Sequence, residues 1–467
     1  MPQKTIFLSI YNGIRAKNFF HTDIYRVLVD DRNVRLVIAI PSVKLDYYRK
    51  TFSEPNVEFV PFDPKGEPWF GRLLAELGFN LLNTVTIRFK QELEYRRYKK
   101  LLRFLFKRFI NRVLGPLAGV RELVRFLDRF VGVDPKVAAL FRKYKPDLVL
   151  APDVVFPLDR IFLRAAKREG YYVIGLTRSW DNLTSKGVIQ ILPDKLILHT
   201  TRMKNQAVKL VGMPEKDIFV SGPPDYDKFF RPLSMSREQF LSSFGIPDGR
   251  RIILFAPFYD DYTGSAVTMM NALTRAIKDG RLPKDTHIIS RYRPATPEIP
   301  KELIEPSDHL TITKPCSLYF RVKDKTLAPT KDWEFSASDV ELLANSLAYS
   351  DVVVNTYSTL AIDASAFDKP VIGVRFDADP NTPPEHSVLK IGDMHDHYRE
   401  LEGAGGVRLV KNIDELILAI NSYFEHPEAD REGRRKILET QVEFTDGQNA
   451  RRAAEFILKE LYSRDKK

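Results

Sequence analysis

Cysteine is almost missing from this chain of 467 residues; Cys316 is the only one. A lone cysteine excludes a disulfide framework and any thiolate zinc site, and it is expected to act as a small buried hydrophobe. Histidine is scarce at eight and tryptophan at three. No stretch of about 18 uncharged apolar residues occurs, which argues against a membrane-spanning helix. The start, Met-Pro-Gln-Lys-Thr followed by Ile-Phe-Leu-Ser-Ile, has no h-region and no cleavage site. It reads as a first strand rather than a signal peptide, so a cytoplasmic protein is expected. No Walker phosphate loop, no Gly-x-Gly-x-x-Gly and no nucleophile elbow is present.

Hydrophobic residues make up 44% of the chain and charged residues 28%, an ordinary globular balance that excludes wholesale disorder. The length suits two or three domains. The net charge is +11, but it is not spread evenly. Between Arg88 and Arg129 thirteen Lys/Arg face four Asp/Glu, a surplus of nine, so the rest of the chain is nearly neutral. One basic surface is implied rather than a uniformly basic protein.

Short apolar runs at Thr5–Ile10, Val34–Ile40, Val57–Pro61, Asp147–Leu150, Tyr172–Leu176 and Lys195–Leu198 alternate with helical stretches. Near-continuous apolar strands separated by helices predict an α/β, doubly wound parallel sheet. A second series runs through Ile252–Phe255, His287–Ser290, Asp351–Val354, Val371–Val374 and Val407–Leu409. The expected division is 1–235, 236–449 and a helix in 450–467 that folds back on the first domain.

The segment 71–130 breaks the alternation and reads as a helical insert. Phe104, Leu105, Phe109 and Val113 recur near helical spacing, flanked by Lys99, Lys100, Arg103, Lys107 and Arg108. A basic amphipathic helix suits an anionic membrane surface, the alternative being an apolar face packed on the domain with a solvated basic face. No Gly-aromatic strand signature accompanies the charge, so nucleic acid is not expected as a partner.

Ligands of doubly wound sheets sit at the carboxyl ends of strands, where loops enter helices. The richest such stretch is Asp351-Val-Val-Val-Asn355-Thr356-Tyr357-Ser358-Thr359-Leu-Ala-Ile-Asp363, which ends a strand in capping and hydroxyl residues. Ser358, Thr359 and backbone N–H groups are suited to a phosphate, and Asp363, one turn on, to ribose hydroxyls. The competing reading is that Ser358 only caps a helix.

This stretch resembles the nucleotide-diphosphate site of GT-B glycosyltransferases, a group that includes the related CDP-glycerol glycerophosphotransferases and nucleotide-sugar epimerases. Three further segments are similar to glycerophosphotransferase motifs: Thr177-Arg178-Ser179-Trp180-Asp181-Asn182-Leu183-Thr184-Ser185-Lys186-Gly187, Val220-Ser221-Gly222-Pro223-Pro224-Asp225-Tyr226-Asp227, and Leu254-Phe255-Ala256-Pro257-Phe258-Tyr259-Asp260. The resemblance spans roughly residues 172 to 373 and implies two Rossmann-like domains with a cleft between them. The chain departs from the motifs in two places. Asp181 stands where the family has His after Trp, and Ser290-Arg291-Tyr292-Arg293-Pro294 replaces its His-Pro motif.

Transfer from a nucleotide donor needs a base for the acceptor proton and cations or dipoles for the leaving diphosphate. Asp181 is the first candidate for the base and His21, after the first strand, the second. On the acceptor side the resemblance implies Asn12, Gly13, Trp180, Asn182 and Lys186. Arg291 and Arg293, alternating after a strand, are suited to phosphate oxygens, with Asn355, Tyr357, Ser358, Thr359, Asp363 and Pro257 completing the donor side. Asp377-Ala378-Asp379 has no evident third ligand and His395-Asp396-His397 reads as surface, so no metal and no cofactor besides the nucleotide donor is expected. The leading expectation is a glycosyltransferase of surface-polysaccharide synthesis, peripheral on the inner membrane face, using a nucleotide sugar and a glycan or lipid-linked acceptor. The alternatives are a CDP-glycerol-type polyol-phosphate transferase, a nucleotide-sugar 2-epimerase and a noncatalytic nucleotide-sugar-binding subunit.

Overall fold

The computed structural model describes residues 3–257, 264–294, 303–316, 318–320, 332–356, 358–383, 386–389 and 394–464. It contains two wholly parallel sheets. The first has seven strands, β1 (Lys4–Ser9), β2 (Val34–Ile40), β3 (Val57–Pro61), β4 (Leu148–Ala151), β5 (Val173–Leu176), β6 (Lys195–Leu198) and β7 (Ile218–Val220). Their order across the sheet is β3-β2-β1-β4-β5-β6-β7. The second has six, β8 (Arg251–Ala256), β9 (Thr286–Arg291), β10 (Leu310–Thr313), β13 (Val352–Asn355), β14 (Val371–Val374) and β15 (Arg408–Val410), in the order β10-β9-β8-β13-β14-β15. The remaining two strands, β11 (Leu318–Phe320) and β12 (Asp332–Glu334), form a small antiparallel pair.

Strand pleating sorts the apolar runs into two cores. Phe7, Val37 and Val149 pack on one face of the first sheet with Phe141 and Phe162. Their neighbours Ile6, Leu8, Leu36, Ile38, Leu148 and Leu150 pack on the other. Period-two alternation with both faces apolar gives the continuous runs seen in sequence. The helix Asn449–Ser463 covers the second face with Ala450, Ala453, Ile457 and Leu461, one helical stripe. In the second sheet Ile253, Phe255, Val352, Val354 and Ile372 pack with residues of the helices Gly264–Lys278 and Ile413–Glu425.

The chain divides into two compact units. One comprises Met1–Asp227, Leu318–Phe335 and Val442–Lys467, the other Lys228–Ser317 and Ser336–Gln441. The sequence reading ran the second domain unbroken from 236 to 449, and the segment Leu318–Phe335 departs from it. Its β11–β12 pair belongs to the first unit because Lys44, fully buried there, pairs with both Asp332 and Glu334. Tyr48 donates to Glu334 Oε1 at 2.8 Å. A buried ammonium demands such partners, and they come from a distant stretch of chain.

Helices fill the segment between β3 and β4: Trp69–Leu81, Val85–Tyr98, Leu101–Phe109 with a π-helical turn Ile110–Leu114, Ala118–Asp128 and Pro135–Tyr144. Among the described residues no helix is long and apolar enough to cross a membrane.

Candidate functional site

In the first sheet the strand order reverses between β1 and β4, and polar side chains collect at the carboxyl ends of those strands. Asn12 caps the helix Gly13–Phe20, its Oδ1 accepting from Arg15 N at 3.1 Å. That turn delivers Arg15 into the interior. Arg15 Nη2 lies 2.6 Å from Asp159 Oδ2 and 3.2 Å from Asp153 Oδ2, all three side chains being fully buried. Tyr11 donates to Asp159 at 2.9 Å, and its ring lies 4.0 Å under the guanidinium. Asp153 Oδ1 also accepts from Val154 N at 2.7 Å and from Asn182 Nδ2 at 3.4 Å, and Arg178 Nε stands 3.8 Å from Oδ2. Burial pushes the Asp153 carboxyl up to about 6, with Arg15 pulling the other way. This cluster joins the loops after β1, β4 and β5. The sequence reading found Asn12 and Asn182 but missed Arg15 and Asp153. The available signal was Ala151-Pro152-Asp153, an acid placed directly after a strand.

Asp181 lies just before the short helix Asn182–Ser185. Its Oδ2 accepts from Ser185 Oγ at 2.6 Å and lies 3.4 Å from Lys186 Nζ. Trp180 is buried, its carbonyl accepting from Arg202 at 3.2 Å. The helical segment buttresses this loop: Thr84 Oγ1 donates to Thr184 O at 2.8 Å, Lys90 Nζ to Ser185 O at 2.7 Å, and Val188 N to Gly78 O at 3.1 Å. The first two bonds satisfy carbonyls that the four-residue helix leaves open. Gly187, at φ +92°, packs so closely on Phe79 that a Cβ would lie 2.8 Å from the Phe79 Cα.

His21 and Gly13 meet the β11–β12 segment. His21 Nε2 donates to Phe335 O at 2.9 Å, and its ring stands edge-on to Phe52. A Cβ on Gly13 would fall 1.9 Å from Trp333 O, so only glycine admits that backbone. His21 is therefore placed against this segment, and Asp181 in the loop after β5.

The second sheet reverses between β8 and β13, and a small pocket of about 30 Å³ opens there, lined by Phe255, Pro257, Thr356, Phe376, His386 and Val388 among others. At the same level two buried donors, Asn355 Nδ2 and Arg291 Nη1, have no hydrogen-bond partner among the described residues. The register sets Asn355 beside Ala256 at the end of β8, with Ser290 beside Phe255 on its other flank. Burial brings the Arg291 guanidinium down to about 10, although Asp339 and Cys316 favour its charge. Ser358 Oγ accepts from Leu360 N at 3.2 Å, while Thr359 is exposed and Asp363 buried in the helix Leu360–Ser365.

Several expectations change here. β9 ends at Arg291, so Arg291 is buried and Arg293 exposed; the pair does not share one face. Tyr357 lies outside the described residues. Asp377 holds the chain at Ser387 Oγ (2.7 Å) and Val388 N (2.8 Å), and Asp379 accepts from Asn381 N at 2.9 Å. Among the described residues no group of three His, Cys, Asp or Glu is arranged to hold a metal. His397 is buried against Tyr398 rather than on the surface.

The family model of the CDP-glycerol:poly(glycerophosphate) glycerophosphotransferases matches residues 191–459, more than half of the chain. The chain belongs to this family. As a glycerophosphotransferase-family protein it is a transferase, and its two parallel α/β sheets are those of the GT-B fold. No curated protein matches it significantly in sequence. Among solved structures it is similar to the UDP-GlcNAc 2-epimerase of Neisseria meningitidis bound to UDP-GlcNAc (TM-score 0.54, 12% identity, covering 98% of this chain and 100% of that one). It is also similar to MnaA of S. aureus with UDP (0.54, 13%, 98% and 97%). A third is the wall teichoic acid polymerase TagF with CDPG (0.50, 11%, 99% and 90%). At these identities the likeness is one of fold.

Proposed function

We propose that this transferase moves a sugar from a nucleotide-diphosphate donor to a glycan or lipid-linked acceptor in surface-polysaccharide synthesis. The observation that carries the donor side is the pair of buried, unpartnered donors Asn355 Nδ2 and Arg291 Nη1 beside an aromatic-walled pocket at a switch point. Buried donors without acceptors are costly, and diphosphate oxygens supply acceptors while restoring charge pairing to Arg291. The pocket, mostly apolar with Ser265, Thr356 and His386 as polar members, marks the strand ends where the donor's base would lie. The reading needs no cofactor besides the donor. The solved structures of similar fold were determined with UDP, UDP-GlcNAc and CDPG, all nucleotide-linked.

On the acceptor side Asp181 is the base, set between Ser185 and Lys186, with Trp180, Asn182, Asn12 and Gly13 shaping the surrounding loops. Glycerol-phosphate transfer is the second reading, and the family model favours it. Against it, Tyr292 is buried in the stretch that replaces the family's His-Pro motif.

Membrane attachment is part of the proposal. Leu102, Phe106, Phe109 and Val113 form an exposed stripe at steps of three and four, Leu102 being 84% and Phe106 64% exposed. Exposed Arg97, Lys99, Lys100 and Arg112 border it. Lys107 does not contribute, being buried between Glu76 and Glu94, and Arg103 pairs with Glu94. Phe104 stacks on Tyr95 under the Arg108 guanidinium.

Calorimetry tests the donor side. Asn355→Ala and Arg291→Met should each weaken binding of the preferred nucleotide by about 1–3 kcal/mol, the scale of a lost charge-assisted hydrogen bond. Unchanged affinity in both variants would remove the site.

A further inference from the structure

The helix Val85–Tyr98 places a lysine, Lys90, on the loop that carries Asp181. An ammonium has three N–H donors, and Ser185 O, 2.7 Å from Lys90 Nζ, takes one. Lys186 Nζ, 3.4 Å from Asp181 Oδ2, approaches the same loop. The Lys186 and Asp181 side chains keep 29% and 18% of their surface in solvent, so the cluster reaches solvent on that side, with Lys90 half-buried behind it. Two cations face one carboxylate, and the Phe79 ring, 5.8 Å from Lys90, closes one side.

We propose that Lys90 and Lys186 form an anion subsite that holds a phosphoryl group beside Asp181, so that the helical segment supplies a ligand-binding residue as well as a surface. The inference rests on the reading of Asp181 as the acceptor-side base. The phosphoryl group belongs either to the acceptor or to a lipid head group.

Electrostatics makes the subsite sensitive to pH. Burial, with the like charge of Lys186, holds the Lys90 ammonium down at about 8, while Asp181 draws it up. Among the described residues those two are the charged groups that act on it. Below about pH 8 Lys90 is charged and adds a cation to the cluster. Above pH 8 Lys90 is neutral and an anion loses one of its two cations.

Inorganic sulfate, which keeps one charge state between pH 7 and 9, is the probe for titration calorimetry on the full chain. Wild type should bind it about tenfold more weakly at pH 9 than at pH 7, following the neutralised fraction of Lys90. Lys90→Met should bind weakly at both pH values. Lys90→Arg, which stays charged throughout, should bind equally well at both. Equal binding by wild type and Lys90→Met at pH 7, or a pH dependence that survives in Lys90→Arg, would overturn the subsite. A vesicle arm identifies the source of the phosphoryl group. Loss of Lys90→Met from phosphatidylglycerol vesicles assigns it to a lipid head group, and unchanged vesicle binding assigns it to the acceptor. The titration needs neither donor nor turnover, so its failure leaves the donor-side reading to stand or fall separately.

Discussion

Asp153 and Asp181 illustrate two uses of a carboxylate at a strand end. Asp153 is fully buried and bonded to Val154 N, Arg15 and Asn182; it fixes loops. Asp181 retains solvent contact beside Ser185 and Lys186, which suits its proposed role as a group that exchanges a proton with substrate. Asp181→Asn should therefore lower turnover about 100-fold or more while leaving nucleotide affinity unchanged, as read from initial rates alongside calorimetry. Near-normal turnover would reassign the base, and His21, bonded to Phe335 O, would be tested next. Asp181 could be singled out as a candidate because it follows a strand within a recognisable motif. Arg15 and Asp153 were not, because 138 residues separate them and their burial is a property of the fold.

At the scale of elements, the alternating strands were legible because apolar runs covered on both faces leave a direct trace in sequence. The β11–β12 pair was not. Asp332-Trp333-Glu334 reads as a polar loop until Lys44 is set beside it, and two three-residue strands have too little pattern to detect. The helical segment shows the same limit in its side chains. Lys107 looks in sequence like part of a basic face, yet its ammonium is buried between two glutamates. This alters the membrane test. Replacing Arg97, Lys99, Lys100 and Arg112 with Gln removes exposed charge without breaking that buried pairing. Each basic residue near an anionic surface contributes about 1 kcal/mol, and salt screens it. Wild type should sediment with anionic but not neutral liposomes, less so at high salt, and the fourfold variant should stay in solution. Wild type ignoring anionic liposomes at low salt would make the exposed stripe a protein contact instead.

For the molecule as a whole, fold and transferase family were within reach of the sequence, since apolar strand runs and the order of the motif-like segments can be read directly from it. Donor and acceptor identity are not, because they depend on side chains such as those around Thr356 and His386 that no motif specifies. The central claim is that this chain transfers a group from a nucleotide donor to an acceptor. The most direct measurement incubates purified protein with a panel of nucleotide sugars and CDP-polyols, with and without a soluble acceptor analogue, and follows both donor and acceptor by mass spectrometry. Transfer predicts that one sugar nucleotide is consumed in step with acceptor extension, and that without acceptor the donor stays largely intact. Donor isomerised in the absence of acceptor, or thermal stabilisation by a nucleotide sugar without any product, would contradict it.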